Sequence, residues 1–298
     1  MIDMFLIIGE QSLLYFPLIF GAYLSISLIK VPDLSIESAY VFGAITASRL
    51  LPLLDGVSPL IALPAVLVTS MLGGMVVGSV SSLLTKVARI PHLLSSILTG
   101  GLFHGFNQWF LGTALFSLSD FNNPLIIYAS QSKAPELLVL LSVFVLLVFF
   151  GIFLLKTQLG YAFAMYGNNP NFFDHYGISS RYVFAVGIMM SNALAGLAGY
   201  CVAQSSGFSD INAGAGMSLF CVTCLILGKM VTKAKTNASI IVPITGILFY
   251  CVLQQVLLKV GFNLKYFTMI QSLIVLLVLI YKYHKAENKS LTVDNLGV

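Results

Sequence analysis

The sequence predicts an all-α integral membrane protein of about nine transmembrane helices. Three observations carry that expectation. Charged residues are 9 % of the 298-residue chain and hydrophobic ones 58 %, with a mean hydropathy of +0.96; a soluble domain carries roughly a quarter charged residues. The apolar runs are about 20 residues long, the length a helix needs to cross hydrocarbon. They do not alternate apolar with polar residues over segments of about ten, as the strands of a membrane barrel do.

Nine such runs are readable, at about 4–29, 36–54, 59–84, 93–112, 137–155, 182–204, 214–230, 238–258 and 264–281, within a single membrane domain covering 1–298. The first begins in MIDMFLIIGEQ, with no Lys or Arg ahead of it, so it reads as a retained span rather than a cleaved signal. VPDLS and LDGVSP break the first two runs with Pro and Asp, ordinary turn chemistry. Residues 113–136 are too polar to span and are expected at one surface. Placing the C-terminus in the cytoplasm puts Lys30, Lys86, Arg89, Lys156, Arg181, Lys229, Lys233, Lys235, Lys282, Lys285 and Lys289 inside. Only Arg49, Lys133, Lys259 and Lys265 then lie outside. That positive-inside bias orients nine spans with the N-terminus outside, and sets the long polar stretch 157–181 in the cytoplasm.

Other function classes find little support. Net charge of +4 says nothing about nucleic acid in such a chain, and no nucleic-acid partner is expected. Cys201, Cys221, Cys224 and Cys251 all lie in apolar runs. Cys221 and Cys224 have the spacing of a metal or redox pair without a second pair or a nearby His, so packing is the better reading. His92, His104, His175 and His284 match no zinc motif. There is neither a Gly-x-Ser-x-Gly elbow nor a phosphate-binding Gly-x-x-x-x-Gly-Lys loop, so the chain is expected to be no enzyme and to hold no cofactor.

An internal repeat is visible. Setting 21–35 over 198–212 without gaps places Tyr23 on Tyr200, Asp33 on Asp210, Leu34 on Ile211 and Ser35 on Asn212. The first span runs inward and the sixth outward, so the copies are inverted, with halves at about 1–112 and 182–281. Gly74-x-x-x-Gly78, Gly101-x-x-x-Gly105 and Ser191-x-x-x-Ala195-x-x-x-Gly199 each put small residues on one helix face. Close helix packing within the chain is expected from all three.

The polar stretch carries a recognisable pattern. Thr157, Leu159, Gly160, Gly167, Asn169, Gly177 and Ile178 fit T-x-L-G-x-x-x-R-A-x-G-x-N-x-x-x-A-x-x-x-G-I. This resembles the cytoplasmic loop of ATP-binding cassette (ABC) importer permeases for branched-chain amino acids, ribose and related sugars, and aromatic amino acids. Asp33-Leu34-Ser35 and Gln204-x-x-Gly207-Phe208-x-Asp210-Ile211-Asn212-x-Gly214 are similar to the same family, the latter to its aromatic-amino-acid branch. The chain departs from the pattern at Ala164, where an Arg is usual, and at Phe173 or Asp174, where a small residue is usual.

The resemblance implies a permease working as a dimer in the bacterial inner membrane. Its partners would be two cytosolic ATPase subunits that hydrolyse the ATP and an external substrate-binding protein. It further implies that 157–181 couples to the ATPase through a short helix near Asn169–Tyr176. The residues agree: Asn168 or Asn169 can cap a helix, Pro170 suits its first position and Gly177 its end. Gly160, Gly167, Asn169, Pro170, Phe172, Tyr176 and Gly177 are the candidate coupling residues. Polar groups inside spans usually face the bundle interior, which makes Glu10, Gln11, Glu37, Asn107, Asn192, Gln204 and Asn212 candidates for the substrate path, with Gln108, Gln254 and Gln255 beside them. The helix starts at Glu37 and Asn212 offer free N–H groups to a carboxylate, or to a hydroxyl-rich sugar. An amino acid or related metabolite is the expected solute. An ion-coupled secondary transporter and a sugar- or nucleoside-specific permease of the same family are the alternatives.

Overall fold

The computed structural model describes residues 2–54, 56–119, 121, 134–177, 179–232, 239–263, 266–278 and 280. Each of the nine apolar runs falls on helix. Helix α1 (Ile2–Ala22) widens into a π-helical turn over Tyr23–Ile29, which stops at Lys30 in a left-handed conformation, φ 59°. Helix α2 (Ser35–Leu50) ends in a 3-10 turn at Leu51–Leu54. Helix α3 (Pro59–Lys86) starts on a proline, whose missing N–H costs nothing there. Helix α4 (His92–Leu111) stops at Gly112, φ 74°. Helix α5 is Ala134–Lys156, α6 Gln158–Asn168, α7 Ser180–Ser206, α8 Met217–Thr232 and α9 Ile241–Lys259. A last helix covers Phe267–Val278.

Five of these helices are long and apolar enough to cross a bilayer: Met4–Ile29, Ile61–Lys86, Leu137–Lys156, Ser180–Ser206 and Ile241–Lys259. The chain is therefore a mostly helical membrane protein. Its outer faces confirm the solvent. Helix α5 presents Leu138, Val145, Leu146, Phe149 and Phe153, and α4 presents Leu98, Leu102, Phe106 and Trp109. On α4 the buried face is the polar one, Ser95, Ser96, Thr99 and Asn107, the reverse of a soluble helix, because lipid covers the apolar side and neighbouring helices must satisfy the polar one.

Helix α7 sits at the centre, and small residues let α2 and α3 reach its backbone. A Cβ on Gly74 would strike the Asn192 carbonyl, one on Gly196 the Ser70 carbonyl and one on Gly199 the Tyr40 carbonyl. Ser191 Oγ donates to the Gly21 carbonyl at 2.8 Å where α1 crosses. The small-residue stripes of α3 and α7 thus pack within the chain, as expected. Gly101 and Gly105 on α4 do not: nothing lies within 4 Å of a Cβ built on either.

Three features differ from the sequence expectation. Leu115–Ser117 (β1) pairs antiparallel with Phe208–Asp210 (β2), so the fold is not purely helical. The stretch 157–181 is not a bare loop, since α6 occupies much of it. Helices α2 and α8 are 16 residues each, about 24 Å at the α-helical rise, short of a full crossing. The chain ahead of each folds back into the bundle: Asp33 reaches Asn192 near the middle of α7, and Gly214 packs on the Glu37 carbonyl. Irregular backbone at such depth needs local partners; Asp33 supplies one there, and Asp210 makes the same local bond at the half-exposed end of β2. Asp33 Oδ1 accepts the Ser35 amide at 2.9 Å, and Asp210 Oδ1 accepts the Asn212 amide at 2.8 Å.

The two ends of the bundle differ. One gathers Lys30, Lys86 and α6, joined by Lys30 Nζ to Asn168 Oδ1 at 2.6 Å and Lys86 Nζ to the Tyr166 hydroxyl at 2.7 Å. The other holds the β1–β2 pair and Arg49, which donates to the carbonyls of Phe110 and Leu111 at 2.9 and 2.7 Å.

Candidate functional site

Two sites emerge from this frame, one on the lysine-rich end and one within the bundle. The first is the element 157–177. Thr157 Oγ1 donates to the Leu154 carbonyl at 2.7 Å as α5 gives way to α6. Gly160 lets that turn close, since a Cβ there would meet the same carbonyl, and a Cβ on Gly167 would strike the carbonyl of Leu28. Phe163 and Tyr166 fill the buried face of α6. A 3-10 helix, Pro170–Tyr176, follows. Asn169 caps it, its Oδ1 accepting the Asn171 amide at 3.1 Å, Pro170 opens it, and Gly177 closes it at φ 68°.

The capped short helix expected from Asn169, Pro170 and Gly177 is present, wound as 3-10 rather than α. Phe172 and the buried Phe173 meet edge to face at 5.7 Å and floor an apolar groove of about 530 Å³ with Leu159, Tyr161, Met165 and Tyr182. The Tyr176 side chain and Ile178 lie outside the described residues. Two cations approach this element although Ala164 lacks one. Lys30 holds Asn168, and the Lys86 ammonium lies 4.5 Å from the Phe184 ring centre and 5.2 Å from that of Tyr166. The element 157–177 is thereby joined to the end of α1 and to α3 through packed carbonyls and charge-assisted hydrogen bonds.

The second site is a cavity of about 440 Å³ between α2, α4 and the 211–215 turn. It brings together three of the seven path candidates, Glu37, Asn107 and Asn212, with Ser38, Ser96 and His104. Sequence reading set Glu37 and Asn212 at equivalent ends of inverted halves, hence on opposite membrane faces; the fold-back ahead of α2 and α8 brings them to one place. Glu37 Oε1 accepts the Ser218 amide at 3.2 Å and the Ser218 hydroxyl at 2.5 Å. The donors at the start of α8 that an external carboxylate would need are thus engaged by the chain itself. The Asn107 side-chain oxygen is buried without a hydrogen-bond partner.

The remaining candidates lie elsewhere. Asn192 is fully buried behind the cavity, its Nδ2 donating to Asp33 Oδ2 at 2.8 Å and to the Ile188 carbonyl at 3.0 Å. Gln11 lines a second cavity of about 200 Å³ with Tyr15, Tyr250, Gln254 and Gln271. Gln204 is buried next to β2, neither side-chain polar atom having a partner. Glu10 is half-buried near the start of α1 and lines neither cavity.

Sequence reasoning passed over His92 and His104. His92 Nδ1 lies 3.0 Å from Thr85 Oγ1, and its Nε2 lies 3.6 Å from Asp33 Oδ1. The signal for both histidines was their place on the face of α4 that also bears Ser95, Ser96, Thr99 and Asn107.

Comparison with known proteins agrees with this architecture. The family described as "Branched-chain amino acid transport system / permease component" matches residues 10–279. An uncharacterised protein of Rickettsia prowazekii is 29 % identical over 85 % of this chain and 89 % of its own. A tyrosine transport system permease protein of Clostridioides difficile is 30 % identical over 78 % and 76 %. An autoinducer 2 import system permease protein of Escherichia coli is 24 % identical over 74 % of this chain and 64 % of its own. No solved structure matches significantly. The chain belongs to this permease family and is the membrane component of an ABC-type transport system for a small solute.

Proposed function

We propose that the chain forms the translocation path of an ABC importer in the bacterial inner membrane, and that 157–177 receives the push of the ATPase. The observation that carries this reading is the capped element itself. Gly160, Gly167, Asn169, Pro170 and Gly177 each have a geometric task in it, and it is tied to α1 and α3 by Lys30 and Lys86. A rigid lever fixed at two points suits rigid-body transmission. The exposed apolar groove beside Phe172 offers a partner protein something to hold.

In this reading the chain crosses the membrane nine times, beginning outside and ending in the cytoplasm. The halves 1–112 and 182–281 are inverted copies, a reading supported by the matching aspartate turns and by the packing of α2 against α3 in one half and α8 against α9 in the other. A second copy completes the path, two cytosolic subunits hydrolyse ATP, and an external binding protein delivers the solute. An amino acid or close relative is favoured, in keeping with the tyrosine permease among the relatives.

Purification of the tagged chain from its native membrane tests the proposal. An ABC ATPase is expected to co-purify, and vesicles holding the complex should take up solute only with ATP inside the ATPase compartment. A chain isolated alone that moves solute on an ion gradient would overturn it.

A further inference from the structure

The cavity between α2, α4 and the 211–215 turn has a one-sided chemistry. Both helix starts that could hold an anion are already filled from within: Asp33 takes the amide at the start of α2, and Glu37 takes the amide and hydroxyl of Ser218 at the start of α8. A substrate carboxylate would therefore find the Ser218 donors taken and the Glu37 carboxylate facing it. Its polar lining is the Glu37 carboxylate with Ser38, Ser96, His104, Asn107 and Asn212, and Glu37 is the one acid among them. No Lys or Arg lines the cavity. An ionised carboxylate only accepts hydrogen bonds, and a charge withdrawn from water calls for an opposite charge or for donors. A volume of about 440 Å³ is within the range of small-molecule sites.

We propose that this cavity binds the transported solute by its ammonium group, with Glu37 as the charge partner. The inference rests on the permease reading and deepens it, naming the recognised group. The carboxylate of an amino acid then points away from the α2 and α8 helix starts, and a neutral sugar lacks the group that the site selects.

The test is calorimetric binding to the full-length chain with its ATPase in nanodiscs. The probes are tyrosine, tyramine and 4-hydroxyphenylpropionate, then leucine, isoamylamine and 4-methylpentanoate, then putrescine and ribose. At least one amine-bearing probe is expected to bind, its amine-free counterpart to fail, and ribose to fail. Glu37→Gln keeps an acceptor for Ser218, so the fold is spared, and should weaken the amine-bearing probe roughly ten- to a hundredfold. Binding of an acid or ribose as tight as of the amine, no amine-dependent binding anywhere in the panel, or an unchanged affinity in Glu37→Gln overturns the inference. ATP-driven uptake by the same wild-type complex reconstituted into vesicles reports separately on the permease reading.

Discussion

The turn at Asp33 and the turn at Asp210 share one hydrogen bond, a carboxylate oxygen accepting the amide two residues on, and differ in nearly everything around it. Asp33 is buried and, besides the Ser35 hydroxyl, is met from far along the chain: Asn192 of α7 donates at 2.8 Å, and His92 of α4 stands at 3.6 Å. Asp210 is half-exposed at the end of β2, and Asn212 beside it opens onto the cavity. One turn is a three-element lock; the other is a cavity wall. The same local chemistry can therefore recur for a backbone reason while only one of the two aspartates acquires tertiary partners.

The largest effect expected from breaking this comparison is at the lock. Asp33→Ala leaves the Asn192 amide and the Ser35 hydroxyl without their buried acceptor, which should cost roughly 3 kcal/mol or more. Thermal unfolding in detergent should show a strongly lowered midpoint. Asn192→Ala removes the donor side, and should cost about 2 kcal/mol because Asp33 keeps its Ser35 contacts. Asp210→Ala loses one local bond near solvent, for about 1 kcal/mol. Asn212→Ser should stay within about 0.5 kcal/mol, since the shared bond uses the backbone amide and not the side chain. Equal losses at Asp33 and Asp210 would erase the distinction.

Much of this was legible in the sequence and part was not. The alignment of Asp33 with Asp210 and of Ser35 with Asn212 pointed to equivalent turns, because an Asx turn is set by residues two apart. Gly160, Asn169, Pro170 and Gly177 were legible for the same reason, since their turn and cap geometry is local, whereas Gly167 was legible only through the family pattern because it packs on the distant Leu28 carbonyl. The meeting of Glu37 with Ser218 was not. It depends on α2 and α8 being short helices that start inside the bundle, and hydropathy reads a short helix plus its fold-back as a full span. The β1–β2 pair was hidden too, as each strand has three residues and gains its order from its partner. His104 looked isolated until α4 placed it one turn from Asn107.

The orientation sharpens the comparison further, since it decides which turn belongs to the cytoplasmic half. A single cysteine placed near Lys133 should react with an impermeant maleimide applied from outside, and one near Lys235 should not. The reverse pattern would invert the assignment of the lock and the cavity wall.

The coupling role of 157–177 is tested most directly by uptake per ATP hydrolysed, in vesicles holding the complete complex. Gly177→Leu forces a side chain into a left-handed turn with open space around it, so the strain should stay near 1–2 kcal/mol and the protein should still fold. Asn169→Leu removes the cap at similar cost. The account predicts that both variants assemble and hydrolyse ATP while uptake per ATP falls about tenfold or more. Normal uptake per ATP in both would contradict it and leave 157–177 a connector.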